Sequence, residues 1–460
     1  MPLILPANTL DSSYEIENSL RCNGTDSFLN FTLGTPTNQK KATFSAWGKF
    51  NGQRSGSHDN SFWSMGDDTA QAMNVVRTSG QPQIYLDDSD QKYLNFNNTF
   101  LRDSSAWYHF VVQLDTTQST ATNRMKWFIN GTQLSNTIAS HEEQPDQNYD
   151  IPGLASGQTM AISKRASSSH HYIDGYIAEM IYLDGSIAAP TEFGETDDNG
   201  VWIPKKPTGL TFGNNGAWLE FKQTGTSQNA SGIGADTSGN DNHYAVTNLA
   251  AIDVTVDTPT NNFATLNPLS NSLQASYSEG NLDEACNDNF GVGATQAFAN
   301  GKWYWEVKIK AGDNNLVGIA NSDEQHRFTT TFGINNYSLT VYGVNGKIYR
   351  EGSEVEDVSD TFGANDIVGV AVDMDSGTRT VQFYKNGSTF GSATTLPTNW
   401  GFTLPMIRKG GSSQTSSFNF GNPAFSISSG NADANGYGNF EYAVPTGYYA
   451  LCTKNLAEYG

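Results

Sequence analysis

The chain is poor in cysteine, in basic residues and in long apolar runs. Three cysteines, Cys22, Cys286 and Cys452, are spread over 460 residues. An odd, widely spaced set implies no disulfide framework and points to folding in a reducing cytosol. Lys and Arg total 26 against 47 Asp and Glu, a net charge of −21. A surface of that sign repels phosphate backbones, which excludes nucleic acid as a partner. It suits high solubility, or salty water. No stretch approaches ~18 consecutive apolar residues, so no membrane span is expected. The start, MPLILPANTLDSSYEIE, lacks the basic region and apolar core of a secretory signal. If the protein works outside a cell, lysis or particle release must take it there. HExxH, GxSxG and heptad patterns are missing, and GVGATQ lacks the third glycine of a phosphate-binding turn.

What is present reads as strand and turn. Only 16% of residues are charged, 45 are Gly, and Asn, Ser and Thr fill much of the rest. That is the balance of a loop-rich all-β protein. One hairpin occurs twice, as VQLDTTQSTATNRMKWFINGT at 112–132 and VAVDMDSGTRTVQFYKNGS at 370–388. Each has an apolar strand ending in Asp (Asp115, Asp373), a polar turn, and an aromatic-rich strand closed by Asn-Gly. Asn and Gly tolerate the positive φ of tight hairpin turns. Two copies this far apart predict two β-sandwiches of related design rather than a short-period solenoid.

The organisation follows from the spacing of strand-like segments. Residues 1–15 read as an extended arm and 16–200 as a first sandwich. Residues 201–273 read as a Gly/Asn/Thr-rich β connector, 274–425 as a second sandwich and 426–460 as a tail. Within 16–200, ATFSAWGKF puts Phe44, Ala46, Gly48 and Phe50 on one face and Ser45, Trp47 and Lys49 on the other. APTEFGET (189–196) reads as a short helix. The connector should pack, because Trp202, Trp218, Phe221 and Tyr244 favour burial. In the second sandwich KWYWEVKIK directs Trp303, Trp305, Val307 and Ile309 one way and Tyr304, Glu306, Lys308 and Lys310 the other. YYALCT near the end reads as a last strand.

These residues resemble known families. GKWYWEVKI, LVGIA, ANDIVGVAVDMDSGTRTVQFYKNG and SFNFGNPAF, in that order, resemble a SPRY domain. SLRCNGTDSFLNFTL, ATFSAWGKF, WYHFVVQLD, MKWFINGTQL and IDGYIAEMIYLDG are similar to laminin-G-like, concanavalin-A-like lectin modules. Both resemblances imply jelly-roll sandwiches of two antiparallel sheets. GAWLEFKQTGTSQNASGIGADTSGNDNHYAVTNL with DTPTNNFATLNPL, and the terminal FEYAVPTGYYALCTKNL, resemble segments of virion proteins of tailed phages, especially marine ones. There the segment joins a lectin-like to a SPRY-like domain. This resemblance covers nearly the whole chain and implies a tail fibre, receptor-binding tip or head decoration.

Candidate chemistry is sparse. Asp373, Asp375 and Gly377 open like a Ca²⁺ loop, but the twelfth position is Tyr384, inside a strand, so they read as a hairpin turn. Asp67, Asp68, Asp87, Asp88 and Asp90 fall on loops where lectin-like modules often hold Ca²⁺, the one cofactor the resemblance allows. Asp197-Asp198 and Asp236–Asp241 are weaker versions of the same pattern. The sequons at Asn23, Asn30, Asn130 and Asn386 read as turn chemistry. His109, mid-strand, reads as a packed histidine. His170, His171 and Tyr172 form a loop contact without a third metal ligand. Trp63, Tyr85, Tyr93, Tyr172, Tyr337 and Tyr342 read as loop aromatics suited to stacking on sugars or filling protein pockets.

The expectation is a non-enzymatic phage structural protein, a tail fibre or receptor-binding protein attaching to host-surface glycan or protein. The alternatives are a head or tail decoration protein bound to other virion subunits, and a glycan depolymerase. A homo-oligomer is expected, a trimer first, in a virion assembled in the host bacterial cytoplasm.

Overall fold

A computed structural model describes residues 14–50, 60–66, 71–76, 80–87, 92–96, 98–135, 144–167, 171–270, 275–286, 291–321, 337–410 and 414–460. Both Asn-Gly pairs make the turns their chemistry predicts. Asn130 and Gly131 take φ of 47° and 74°, and Asn386 and Gly387 take 49° and 79°. Each asparagine also ties the turn back to the preceding strand. Asn130 Oδ1 accepts from the His109 N–H at 2.8 Å, and Asn386 Oδ1 from the Ile367 N–H at 2.9 Å. At the other end of each hairpin, the Asp side chain accepts backbone N–H groups of the turn that follows. Each Asp also pairs with the lysine opposite it in register: Lys41–Asp115 at 3.7 Å and Lys302–Asp373 at 2.7 Å.

The described residues divide into two compact units, one within 11–260 and the other within 261–460. The first is built on β1 (Ser19–Asn23), β2 (Phe28–Thr32), β3 (Lys41–Phe50), β4 (Asn60–Gly66), β5 (Gln71–Val76), β6 (Pro82–Asp87), β7 (Lys92–Asn95), β8 (Tyr108–Asp115), β9 (Met125–Ile129), β10 (Thr132–Gln133), β11 (Thr159–Ile162) and β12 (Asp174–Asp184). One sheet runs β10-β9-β8-β3-β12-β1 and the other β2-β11-β4-β5-β6-β7. The segment read as a connector contributes further strands to this unit: β13 (Gly194–Thr196), β14 (Trp202–Pro204), β15 (Ala217–Leu219), β16 (Ala245–Thr247) and β17 (Val254–Thr255). The last three pair with β12, β2 and β1. Residues 190–192 form one 3₁₀ turn and 194–196 a strand, where the spacing suggested a short helix. Pro190 starts that turn, and Gly194 follows it into the strand.

The second unit repeats the plan. After β18 (Ala275–Ser278) come β19 (Asp283–Cys286), β20 (Gly291–Gly293), β21 (Lys302–Ala311), β22 (Asn315–Asn321), β23 (Ser338–Tyr342), β24 (Lys347–Arg350), β25 (Ser353–Asp357), β26 (Ile367–Asp373), β27 (Thr380–Lys385), β28 (Ser388–Thr395), β29 (Thr403–Lys409) and β30 (Gln414–Asn419). Its sheets run β28-β27-β26-β21-β30-β19 and β20-β29-β22-β23-β24-β25. Taken in chain order, β19–β30 occupy the places of β1–β12, strand for strand. The duplicated hairpin is the most visible part of a duplicated topology. β31 (Tyr449–Ala450) adds a parallel strand to β21, and a short helix, α1 (Thr453–Tyr459), closes the chain.

Alternation sets the cores. Phe44, Phe110, Trp127, Ile177 and Tyr182 fill the first sandwich, and Trp303, Trp305, Val307, Val370 and Phe383 the second. Fully burying such a side chain is worth about 1.5–3 kcal/mol.

Candidate binding surface

In both units the other face of the hairpin-bearing sheet is covered as well. In the first, residues of the 186–260 segment lie over it. The Trp202 ring occupies the space a Cβ at Gly131 would need, 2.4 Å away. Its Nε1 donates to His109 Nδ1 at 3.0 Å, so Nε2 carries the imidazole proton and donates to Ser45 Oγ at 2.9 Å. Burial lowers the His109 pKa from 6.5 to about 3. Beside it Lys49 Nζ meets Asp257 Oδ2 at 2.8 Å, and Trp107 Nε1 donates to Asp257 Oδ1 at 3.1 Å. Tyr14 Oη donates to Glu179 Oε1 at 2.6 Å. Glu179 sits at φ 47° where β12 bulges against β3, and burial raises its pKa from 4.5 to about 8.

In the second unit the tail does the covering. Tyr442 lies over Gly387, with a ring atom 2.5 Å from where a Cβ would stand. The Glu306 carboxylate accepts the Glu441 and Tyr442 N–H groups at 3.0 and 2.8 Å, the Asn419 amide at 3.0 Å and the Tyr304 hydroxyl at 3.2 Å. Burial still pushes its pKa above the usual carboxyl range. Lys409 and Glu284 form a fully buried ion pair. His109, Glu179, Glu306 and the Lys409–Glu284 pair are thus bound into structure, and none of these pairings was legible in the sequence. A side chain can be assigned to a strand face, but the sequence does not say that a distant segment will cover that face.

The predicted site residues scatter. Trp63 was expected on a loop, but it is 2% exposed in β4, stacked on Phe44 at 3.5 Å. A bulge between Ser61 and Trp63 turns both Phe62 and Trp63 into the core, which corrects the ligand-contact reading. Tyr172 is 8% exposed and lies 6.3 Å from the Phe28 ring. Lys164 Nζ stands 4.3 Å above Phe28 and 5.6 Å from Tyr172. His171 takes φ 67°, and its carbonyl accepts from the Ser61 N–H at 3.1 Å. The Tyr337 carbonyl accepts from the Asn321 N–H at 3.0 Å, and Tyr342 Oη donates to Asn314 Oδ1 at 2.6 Å. His170, Asp67, Asp68, Asp88 and Asp90 lie outside the described residues, and Asp87 is described only as the last residue of β6. Among the described residues no group of three or more His, Cys, Asp or Glu is placed to hold a metal ion. No helix among them is long and apolar enough to cross a membrane.

Among the described site residues, Tyr85 and Tyr93 are brought together across two strands. β6 and β7 are the outermost pair of the second sheet of the first unit. Ile84, Leu86 and Leu94 turn into the core, so Tyr85 and Tyr93 face the other way. They are register partners, both half-buried, with rings 5.8 Å apart and parallel to within 9°. Gln83 and Asn95, the register pair two residues along, share that face and are also half-buried. The arrangement offers flat aromatic rings beside amides, which suits binding.

A model of the SPRY domain family matches residues 302–423, which run from β21 past the end of β30. Among solved structures, the SPRY domain of human HERC1 is similar at 14% identity over 33% of this chain and 96% of its own, with a TM-score of 0.28. A second human SPRY domain is similar at 16% identity over 30% and 90%, with a TM-score of 0.25. A heptameric SAP-like pentraxin from Limulus polyphemus is similar at 15% identity over 38% and 80%, with a TM-score of 0.29. No curated protein matches the chain.

Proposed function

We propose that the protein is a non-catalytic adhesion protein of a tailed-phage particle, a tail fibre or receptor-binding protein that attaches the virion to a host-surface glycan or protein. One observation carries this reading. The two segments whose sequences resemble phage virion proteins are the layers that finish the two sandwiches. Residues 217–219 and 245–247 add strands to the first unit, and residues 440–452 cover Tyr304 and Glu306 in the second. The resemblance therefore concerns an architecture, not a detachable linker. In this reading the first unit is the lectin-like module, the SPRY domain a second binding module, and attachment gains from several copies on one particle, a trimer first. The chain assembles in the host bacterial cytoplasm and ends on the virion beside other virion subunits. Ca²⁺ remains the cofactor to test.

The experiment is mass spectrometry and antibody labelling of purified particles from the phage that encodes the chain, with a host-adsorption assay. The chain should be found at a particle extremity, and soluble chain should compete with phage for host cells. Absence from particles, or adsorption unaffected by a large excess of soluble chain, overturns the proposal.

A further inference from the structure

We propose that the outward Tyr85–Tyr93 face of the first unit is a binding site for an uncharged oligosaccharide, a step that rests on the adhesion reading above. The rings are parallel to within 9° and 5.8 Å apart because β6 and β7 hold them as register partners. Ile84, Leu86 and Leu94 anchor both strands from beneath. The sheet thus sets the position of the platform before any ligand arrives, and a tyrosine has few rotors left to freeze. Sugar rings present apolar C–H faces edged by hydroxyls, and a tyrosine ring receives such a face. The hydroxyls then meet groups able both to donate and to accept. Gln83 is an amide with both capacities, and its register partner Asn95 lies beside it on the same side of the two strands.

Charge narrows the ligand. The two register pairs Tyr85–Tyr93 and Gln83–Asn95 contain no charged side chain, and the next pair of the ladder, Asp87–Lys92, is one acid with one base, in a chain of net charge −21. A polyanionic glycan is repelled by the molecule as a whole, and a cationic ligand finds no carboxylate at either pair. An uncharged, hydroxyl-rich chain is what an uncharged aromatic–amide face complements. A folded protein partner fits less well, since a stable interface needs roughly 800 Å² per partner and two half-buried tyrosines offer a small fraction of that. The Tyr172–Phe28–Lys164 cluster is a poorer candidate, because Tyr172 is buried and Lys164 is already seated on Phe28.

The test presents the full-length chain to an array of neutral oligosaccharides of hexoses, deoxyhexoses and N-acetylhexosamines, with uronate and sulfated oligosaccharides alongside. Neutral sugars should be retained and acidic ones not. Tyr85→Ala and Tyr93→Ala should each weaken the retained sugar about tenfold. Tyr85→Phe and Tyr93→Phe, which keep the rings, should stay within about twofold of the parent. Ring-proton signals of the two tyrosines, assigned with the Phe variants, should shift when that sugar is added to the unaltered chain, which needs no destabilised variant. Retention of acidic sugars only, of none, or of a neutral sugar with the ring signals unmoved overturns the site. Host cells provide the separating control. If the chain coats them equally well as Y85A and Y93A, this site is wrong while adhesion stands. If the unaltered chain does not bind them, adhesion itself fails.

Discussion

His109 and Glu179 lie on the covered side of one sheet and titrate in opposite senses. His109 is held neutral, with its pKa lowered from 6.5 to about 3. The unfolded chain binds the extra proton between those values, so stability is lost as pH falls from 6.5 toward 3, by about 1.4 kcal/mol per unit. Glu179 is held protonated, with its pKa raised from 4.5 to about 8. Here the folded chain binds the extra proton, so stability is lost as pH rises from 4.5 to 8 and is level above it. The two slopes oppose each other between 4.5 and 6.5. The first unit should therefore be most stable there and weaken on both sides. Urea melts read by tryptophan fluorescence across pH should show this dome. His109→Asn should remove the acid limb and Glu179→Gln the alkaline one. Limbs that persist in these variants would mean other groups govern the pH response. Lys49→Met, which leaves Asp257 buried without its ammonium, should cost about 3–5 kcal/mol, and the added change Asp257→Leu should recover part of it. Denaturation midpoints of the single and double variants check that sign.

At the scale of elements, the Asn-Gly turn is both a hairpin device and a docking point. Gly131 and Gly387 have positive φ, and each has an aromatic ring from the covering layer where a side chain would go. Alanine there faces left-handed strain of about 1 kcal/mol and must also displace Trp202 or Tyr442. Gly131→Ala and Gly387→Ala should each cost roughly 2–3 kcal/mol. Adding Tyr442→Ala to G387A should cost less than the sum of the two single changes, since the clash is then gone. Strict additivity would show that the ring is not what the alanine meets. Glu306 fastens the same layer from the other side. Glu306→Ala leaves Tyr442 N–H, Glu441 N–H and the Asn419 amide without their acceptor, a loss of about 2–4 kcal/mol measurable by thermal unfolding.

On the scale of the whole molecule, two units share a single strand order, and each is finished by chain that follows its last sandwich strand. The net charge of −21 governs how such a molecule approaches a surface. Screening shortens from ~30 Å at 0.01 M salt to ~8 Å at 0.15 M. Adsorption to negatively charged cells should therefore speed up as salt is raised over that range. Rates that fall with added salt would point to a local basic contact instead.

Alternation and turn chemistry were enough to fix an all-β chain, the inward sets Phe44/Phe50 and Trp303/Trp305, and both Asn-Gly hairpins, because period-2 patterns and positive-φ turns are local properties. The SPRY domain was legible for the same reason, as four strand blocks in order. The stacking of Tyr85 on Tyr93 was not, since register between β6 and β7 is decided by pairing and a bulge rather than by either strand alone. Trp63 shows the converse: one extra residue in β4 turned an expected loop aromatic into core. The second covered face of each sandwich was also beyond the sequence. Alternation puts Trp47, Lys49, Tyr304 and Glu306 on the opposite strand face, but it does not place the chain from more than a hundred residues away that lies over them. Tertiary structure decided those burials because covering a sheet face depends on where distant segments end, and no local pattern encodes that.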